Sequence, residues 1–345
     1  KGKISRTDMD AVHSLVYKEN HTTTAREWKH VLKPEKTYIW YDGFSVPSSR
    51  REDGIRSIPS YIRRCNLVII LAPGCTHFNR IDPITQRKMN LCYRTYRLRA
   101  HCVFELFCAF LVTRGEKARP ALLVRSGTGT PNWISPMECQ KLTIGTSSFE
   151  CCDSNHTLIE TCRRPIYLAS LVRMIEARVC SLFLSSDFAE ARLSLCLTNY
   201  WCRGLLEDTA TEKKWDSVQS FKSDLRWTCP TDGNVKCRDN FPLLCYVSFS
   251  GCIKVTQEAL ANFEMTRKSQ NDQFVNVHCS KQGLVALGIP GYCTPLHAAM
   301  WASKPEIVSL LLEHGANPFE TDMTGNNAFL YACAMGNTEN VKFWL

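Results

Sequence analysis

The apolar positions of the chain change rhythm several times, and each rhythm predicts an element. Leu67-Val68-Ile69-Ile70-Leu71 is apolar at every position and is closed by Pro73-Gly74. Such a run predicts a strand buried on both faces, as in a parallel sheet between helix layers. Tyr38-Ile39-Trp40-Tyr41, stopped by the turn pair Asp42-Gly43, predicts a shorter strand upstream. Between the two, Ile55, Ile58, Ile62 and Cys65 recur at helical spacing, with Pro59 set to kink that helix or to mark where its regular part begins. Strand, helix and strand compose a βαβ unit in which Ile39 and residues 67–71 are neighbouring parallel strands. From about Tyr96, the residues Ala100, Val103, Phe104, Phe107, Cys108 and Leu111 fall on one helical face; Glu105 lies at its edge, one turn after His101. Pro120-Ala121-Leu122-Leu123-Val124 predicts the next buried strand, while residues 75–90 read as a long loop.

The rhythm then becomes helical. Residues 1–35 read as a helical approach ending near Pro34, and Leu168, Leu171, Val172, Ile175, Val179, Leu182 and Phe183 form a stripe within a helical stretch over 154–207. Residues 207–240 are polar, with Pro230 and Gly233, and mark the best boundary, although Trp215 and Trp227 point to packing there. Gly127-Thr128-Gly129-Thr130-Pro131 lacks the Gly-Lys-Ser/Thr of a phosphate-cradling loop and reads as a plain turn.

Thr294-Pro295-Leu296-His297-Ala298-Ala299, followed by Glu306-Ile307-Val308 and Leu310-Leu311-Leu312-Glu313-His314-Gly315-Ala316-Asn317-Pro318, closely resembles an ankyrin repeat. Thr294 suits an N-cap, with Pro295 at the first helical position and Gly315 available for a left-handed helix end. The same offsets return 33 residues later at Asn327, Ala328, Phe329, Leu330, Ala332, Gly336-Asn337 and Val341, and 33 is the ankyrin period. A degraded copy precedes them at Pro242-Leu243-Leu244, Ser250-Gly251 and Val255, with about 20 extra residues near 267–288. Such arrays bury their apolar faces only by stacking, so the array is expected to continue past Leu345. The resemblance implies a protein partner held by hairpin tips and inner helices, here Met300, Trp301, Phe319, Glu320, Asp322, Met323 and Tyr331, several of which serve equally well as core. His297 belongs to the repeat's structural signature, and Leu330 replaces it one repeat later.

A second resemblance lies upstream. Ile55 to Ser57, Cys65-Asn66-Leu67-Val68-Ile69-Ile70 and His101-Cys102-Val103-Phe104-Glu105-Leu106 resemble a TIR-type domain, in which a helix feeds a buried strand and a later helix opens with Trp-Cys-x-x-Glu-Leu. Here His101 stands in the place of the Trp. The Trp40-Tyr41-Asp42 turn is similar to the related fungal incompatibility domain. The resemblance implies self-association or signal relay. It implies, as the alternative, cleavage of NAD as a substrate at the nicotinamide–ribose bond, with Glu105 catalytic and Asp42 and Tyr41 lining the nucleotide cleft. A carboxylate there would stabilise the oxocarbenium-like charge as nicotinamide leaves.

Charge and cysteine refine these expectations. The net charge of +9 is concentrated: between Arg50 and Arg119 fourteen bases face five acids. Such a field attracts nucleic acid, anionic nucleotides or a membrane surface; a solvated basic face is the preferred reading, and nucleic acid is not expected as a partner. Arg94, Arg97 and Arg99, interleaved with Tyr93 and Tyr96, stay open as an anion-binding cluster. Nineteen cysteines without a single Cys-x-x-Cys argue against zinc, and the apolar settings of Cys65, Cys108, Cys180, Cys196, Cys245 and Cys333 predict buried free thiols in a reduced cytoplasmic protein. No run approaches the ~18 apolar residues of a membrane span, and no resident cofactor is expected. The chain opens without a signal sequence and reads as a piece cut at both ends. The expected fold class is thus α/β followed by all-α: a parallel-sheet TIR-like domain with a helical extension over 1–206, a linker over 207–240, and an ankyrin array over 241–345.

Overall fold

The computed structural model describes residues 51–72, 74–81, 86–111, 121–125, 132–147, 149, 162–205, 215–228, 241–266 and 274–345. The helical approach over 1–35, the strand expected at Tyr38–Tyr41 with its pairing to residues 67–71, the turn at 127–131, and Tyr41 and Asp42 lie outside the described residues. Two compact units emerge. Unit 1 runs up to Met174 except for Lys141–Thr143; unit 2 comprises Lys141–Thr143 and Ile175–Leu345. This division falls inside the helix Arg164–Leu184, upstream of the polar stretch 207–240.

In unit 1, helix α1 (Arg51–Arg64) carries Pro59 in its interior and buries Ile55, Ile58 and Ile62, the three isoleucines at helical spacing. Strand β1 (Val68–Leu71) pairs in parallel with β4 (Ala121–Val124), from Val68 opposite Ala121 to Leu71 opposite Val124, and β5 (Asn132–Trp133) joins β4 antiparallel. The unbroken apolar run does not make β1 buried on both faces. Ile70 is buried, but Ile69 and Leu71 are 51% and 67% exposed, because alternate side chains point to opposite faces and one face of β1 is left open. The stretch read as a loop over 75–90 contains strands β2 (Cys75–Ile81) and β3 (Lys88–Leu91), paired antiparallel with an irregularity in register. The turn signal Asp82-Pro83 sits between them in the sequence. After the short helix α2 (Tyr93–Arg97) comes α3 (Ala100–Leu111), in which every residue except His101 and Glu105 is buried. A helix apolar on nearly all sides belongs in the middle of a core, and α3 packs against α1 and the short helix α4 (Pro136–Gln140).

Unit 2 is helical. In α5 (Arg164–Leu184) the predicted stripe is buried at Ile175, Val179 and Leu182, and on the same helix the buried Arg178 guanidinium meets Glu190 at 2.5 Å. Glu190 stands on α6 (Phe188–Cys196), which α7 (Thr198–Trp201) follows. Within the polar stretch, α8 (Val218–Asp224) starts on a Ser217 capping box, and Trp215 packs edge-on against Phe221 while its indole donates to Asp224 at 3.0 Å.

The repeats follow as helix pairs: α9 (Leu243–Ser250) with α10 (Ile253–Thr266), α11 (Pro295–Ala302) with α12 (Pro305–Glu313), and α13 (Ala328–Met335) with α14 (Thr338–Trp344). The last two pairs begin at positions 33 residues apart, at the predicted starts Pro295 and Ala328. Thr294 caps α11 by accepting from the His297 amide, Asn327 caps α13 by accepting from the Leu330 amide, and Gly251 and Gly336, at φ +70° and +71°, end α9 and α13 in the left-handed conformation. Buried Asn337 and Asn340 reach back to the last carbonyls of α11: Asn340 Nδ2 lies 3.1 Å from both Ala299 O and Ser303 O, and Asn337 Nδ2 lies 3.0 Å from Ser303 O. The orphan carbonyls of one repeat are thereby satisfied by the next.

Candidate protein-interaction surface

The hairpin tip between α12 and α13 is a sharply built surface feature of unit 2. Asp322 organises it. Its Oδ1 accepts from the Thr324 amide at 2.7 Å, the Thr324 hydroxyl at 2.6 Å and the Asn326 amide at 3.0 Å, and its Oδ2 accepts from the Tyr331 hydroxyl at 2.5 Å. Burial alone would push this carboxyl upward; the donors from Thr324, Tyr331 and Asn326 outweigh it and hold the group below its ordinary value. Gly325, at φ +81°, supplies the left-handed position the turn requires. Below the turn, the His297 ring spans Thr294 Oγ1 at 2.7 Å and the Asn326 carbonyl at 3.1 Å, and burial depresses its pKa. Asn317 fixes the start of the tip, accepting from the Phe319 amide at 3.0 Å and donating to Glu320 Oε1 at 3.0 Å.

On this fixed turn Phe319 is 82% exposed and Met323 52% exposed, while Glu320 is half-buried, its Oε2 lying 3.3 Å from His278 Nε2. The other residues expected on a partner surface lie inside. Met300 and Trp301 are fully buried on α11; Trp301 meets Phe249 and Tyr331 at ring-centroid distances of 5.9 and 5.8 Å. Tyr331 and Asp322 are buried together in the hydrogen bond already described. On α11 the inner-helix positions Met300 and Trp301 are consumed by repeat stacking.

His278 and Lys281, within the extra residues near 267–288, and Tyr292, just beyond them, flank the tip and were not among the expected site residues. Cys279 and Cys293 pair their backbones there, with the Cys279 amide 2.9 Å from Cys293 O, and the Met323 amide donates to Gly291 O at 2.9 Å. Gly283, Gly288 and the pair Pro290-Gly291 are the hairpin's turn signals in the sequence.

In unit 1, Glu105 has both carboxylate oxygens engaged: Tyr96 Oη donates to Oε2 at 2.9 Å and His101 Nε2 lies 3.3 Å from Oε1. Of the arginine cluster, Arg97 pairs with Glu138 at 2.8 Å and lies over the Tyr93 ring, Arg99 lies over Tyr96, and Arg94 is exposed. Among the cysteines named from the sequence, Cys108, Cys196 and Cys245 are buried, Cys65 is half-buried, and Cys180 and Cys333 are exposed. The last two fall on outward helix positions that an apolar sequence context does not reveal. Among the described residues no three His, Cys, Asp or Glu side chains come together as a metal set, and no helix is long and apolar enough to cross a membrane.

The family model of ankyrin repeats matches residues 244–345 in three copies, the degraded first copy included. No curated protein matches the chain.

Proposed function

We propose that the chain is a protein-interaction protein whose ankyrin repeats seat a partner protein on the tip formed by Phe319, Glu320 and Met323. The observation that carries this is the exposure of Met323, in the turn locked by the Asp322 hydrogen bonds, and of Phe319, whose amide Asn317 holds. Two large apolar side chains held on a rigid backbone give up little conformational entropy on binding, the condition under which a small patch becomes an energetic anchor. The test is affinity purification of partners with the full chain and with the double variant Phe319→Ser/Met323→Ser, followed by reconstitution with the purified partner. Binding is expected to weaken by at least about tenfold in the variant, with circular dichroism and melting temperature unchanged; equal affinity would refute the assignment of the tip.

For unit 1 the TIR-like reading, with self-association or signal relay, is supported by the parallel pairing of β1 with β4, the helix α1 that precedes β1, and the Cys102-x-x-Glu105-Leu106 helix. Light scattering of the full chain across a concentration series tests it: a concentration-dependent dimer is expected, and a strict monomer counts against it. The buried free thiols Cys245, Cys279 and Cys293 support a reducing, cytoplasmic setting.

A further inference from the structure

Beside the tip, unit 2 holds an open cavity of about 590 Å³ whose lining includes Val277, His278, Lys281, Tyr292 and Thr321. Its wall is a hairpin with little freedom. The Tyr292 amide donates to Ser280 O at 3.3 Å, and Leu284 and Ile289 exchange backbone hydrogen bonds at 2.8 and 3.1 Å. A Cβ on Gly291 would lie 1.9 Å from the Lys281 carbonyl oxygen, so only glycine allows the two arms to approach this closely. The hydrogen bond from the Met323 amide to Gly291 O ties the hairpin to the neighbouring tip.

Two features of this wall leave chemistry free at the surface. Tyr292 is held at φ +61°, a left-handed conformation that an aromatic residue adopts at a cost, and its side chain is 41% exposed, so the cost is not recovered by burial. The ring stands edge-on to His278, with centroids 6.2 Å apart, at the rim of the cavity. The charged side chains are also partnered differently. Glu320 is hydrogen-bonded, with His278 at 3.3 Å and the Asn317 amide group at 3.0 Å, whereas exposed Lys281 makes no ion pair among the described residues. An apolar and aromatic wall with an unpaired ammonium group at its edge complements a side chain that is apolar next to one that is a carboxylate.

We propose that this cavity binds an extended segment of a partner protein that carries an apolar or aromatic side chain within one or two residues of an Asp or Glu. The apolar side chain enters against Tyr292 and Val277, and the carboxylate pairs with Lys281. The proposal rests on the partner-binding reading of unit 2 and gives that partner its chemistry.

Selection of a random heptapeptide display library against the full chain tests it, followed by fluorescence polarisation with the enriched peptides made synthetically. Enrichment of sequences pairing an apolar residue with Asp or Glu is expected. Lys281→Glu should weaken them by about tenfold and, in a repeat selection, shift the preference to Lys or Arg. Tyr292→Gly, which relaxes the left-handed position while removing the ring, should weaken binding without lowering the melting temperature. Enriched peptides without an acidic preference, or indifferent to both substitutions, overturn the proposal. If those peptides are lost in Phe319→Ser/Met323→Ser alone, the tip stands as a binding surface and the cavity does not. A selection that enriches nothing also overturns the cavity, while the tip is still decided by the purified partner protein.

Discussion

The Tyr331 hydroxyl donates to the Asp322 carboxylate at 2.5 Å, and through that bond the core of the last repeat holds the tip that carries Phe319 and Met323. Tyr331→Phe keeps the ring beside His297 and Trp301 and removes only this donor. A loss of about 1.5–3 kcal/mol is expected, the range for a hydrogen bond to a charged group, read by urea unfolding at neutral pH. The Asp322 carboxyl is held below its unfolded value, so its contribution is full above about pH 4 and is lost as pH falls through the folded value. In Tyr331→Phe that acid-side loss should shrink, because the folded value moves back toward the unfolded one.

His297 gives a second pH dependence at milder acidity. Burial pushes its pKa below the ordinary value, so the fold favours the neutral ring. Its contribution is therefore full above the unfolded value of about 6.5 and declines as the pH drops from there toward the folded value, where it levels off. Urea midpoints measured from pH 7.5 to 5.5 should fall, with a shallower slope in His297→Gln; an equal slope in the variant would assign the loss to other groups.

Asn340 is fully buried, with its side-chain nitrogen 3.1 Å from Ala299 O and from Ser303 O. Asn340→Ala strands carbonyls at the end of a buried helix, and a loss of about 2–4 kcal/mol is expected. The exposed Lys342, on the same helix, serves as the control: Lys342→Ala should stay within about 0.5 kcal/mol. Equal effects from the two would remove the carbonyl-capping role from Asn340.

With both oxygens of Glu105 engaged by Tyr96 and His101, the carboxylate is anchored to the start of its own helix and to the helix before it. Purified protein incubated with NAD is expected to release no nicotinamide, and Glu105→Ala to lower stability by about 1–3 kcal/mol, because it strands the Tyr96 hydroxyl. Nicotinamide release that disappears in Glu105→Ala would instead establish NAD cleavage.

The repeats were legible in the sequence because their signals are local. Thr294-Pro295 sets a helix start by capping chemistry alone, and the 33-residue offset repeats it at Asn327-Ala328. Strands at 68–71 and 121–124 were legible from apolar content, but not the openness of one face, since an all-apolar run does not say how many layers cover it. The β2–β3 pair was missed because polar, irregular strands lack the alternation that marks a half-buried ribbon. Of the partner-surface positions that the ankyrin resemblance implied, Phe319 and Met323 are exposed and Met300 and Trp301 are buried, because the same inner-helix positions serve stacking or recognition depending on the neighbours. Tyr292 could not be read at all: its left-handed backbone is imposed by the hairpin that Gly291 closes, a tertiary constraint without a sequence motif.

The tip and the cavity together make one claim, that partners are held at residues 278–281, 292 and 319–323. Hydrogen exchange of the full chain, alone and saturated with a purified partner, measures this directly. Slowed exchange at the amides of Ser280, Lys281, Tyr292 and Phe319 to Met323 is the predicted result. Protection confined to other segments, with these amides exchanging as in the free chain, would contradict it.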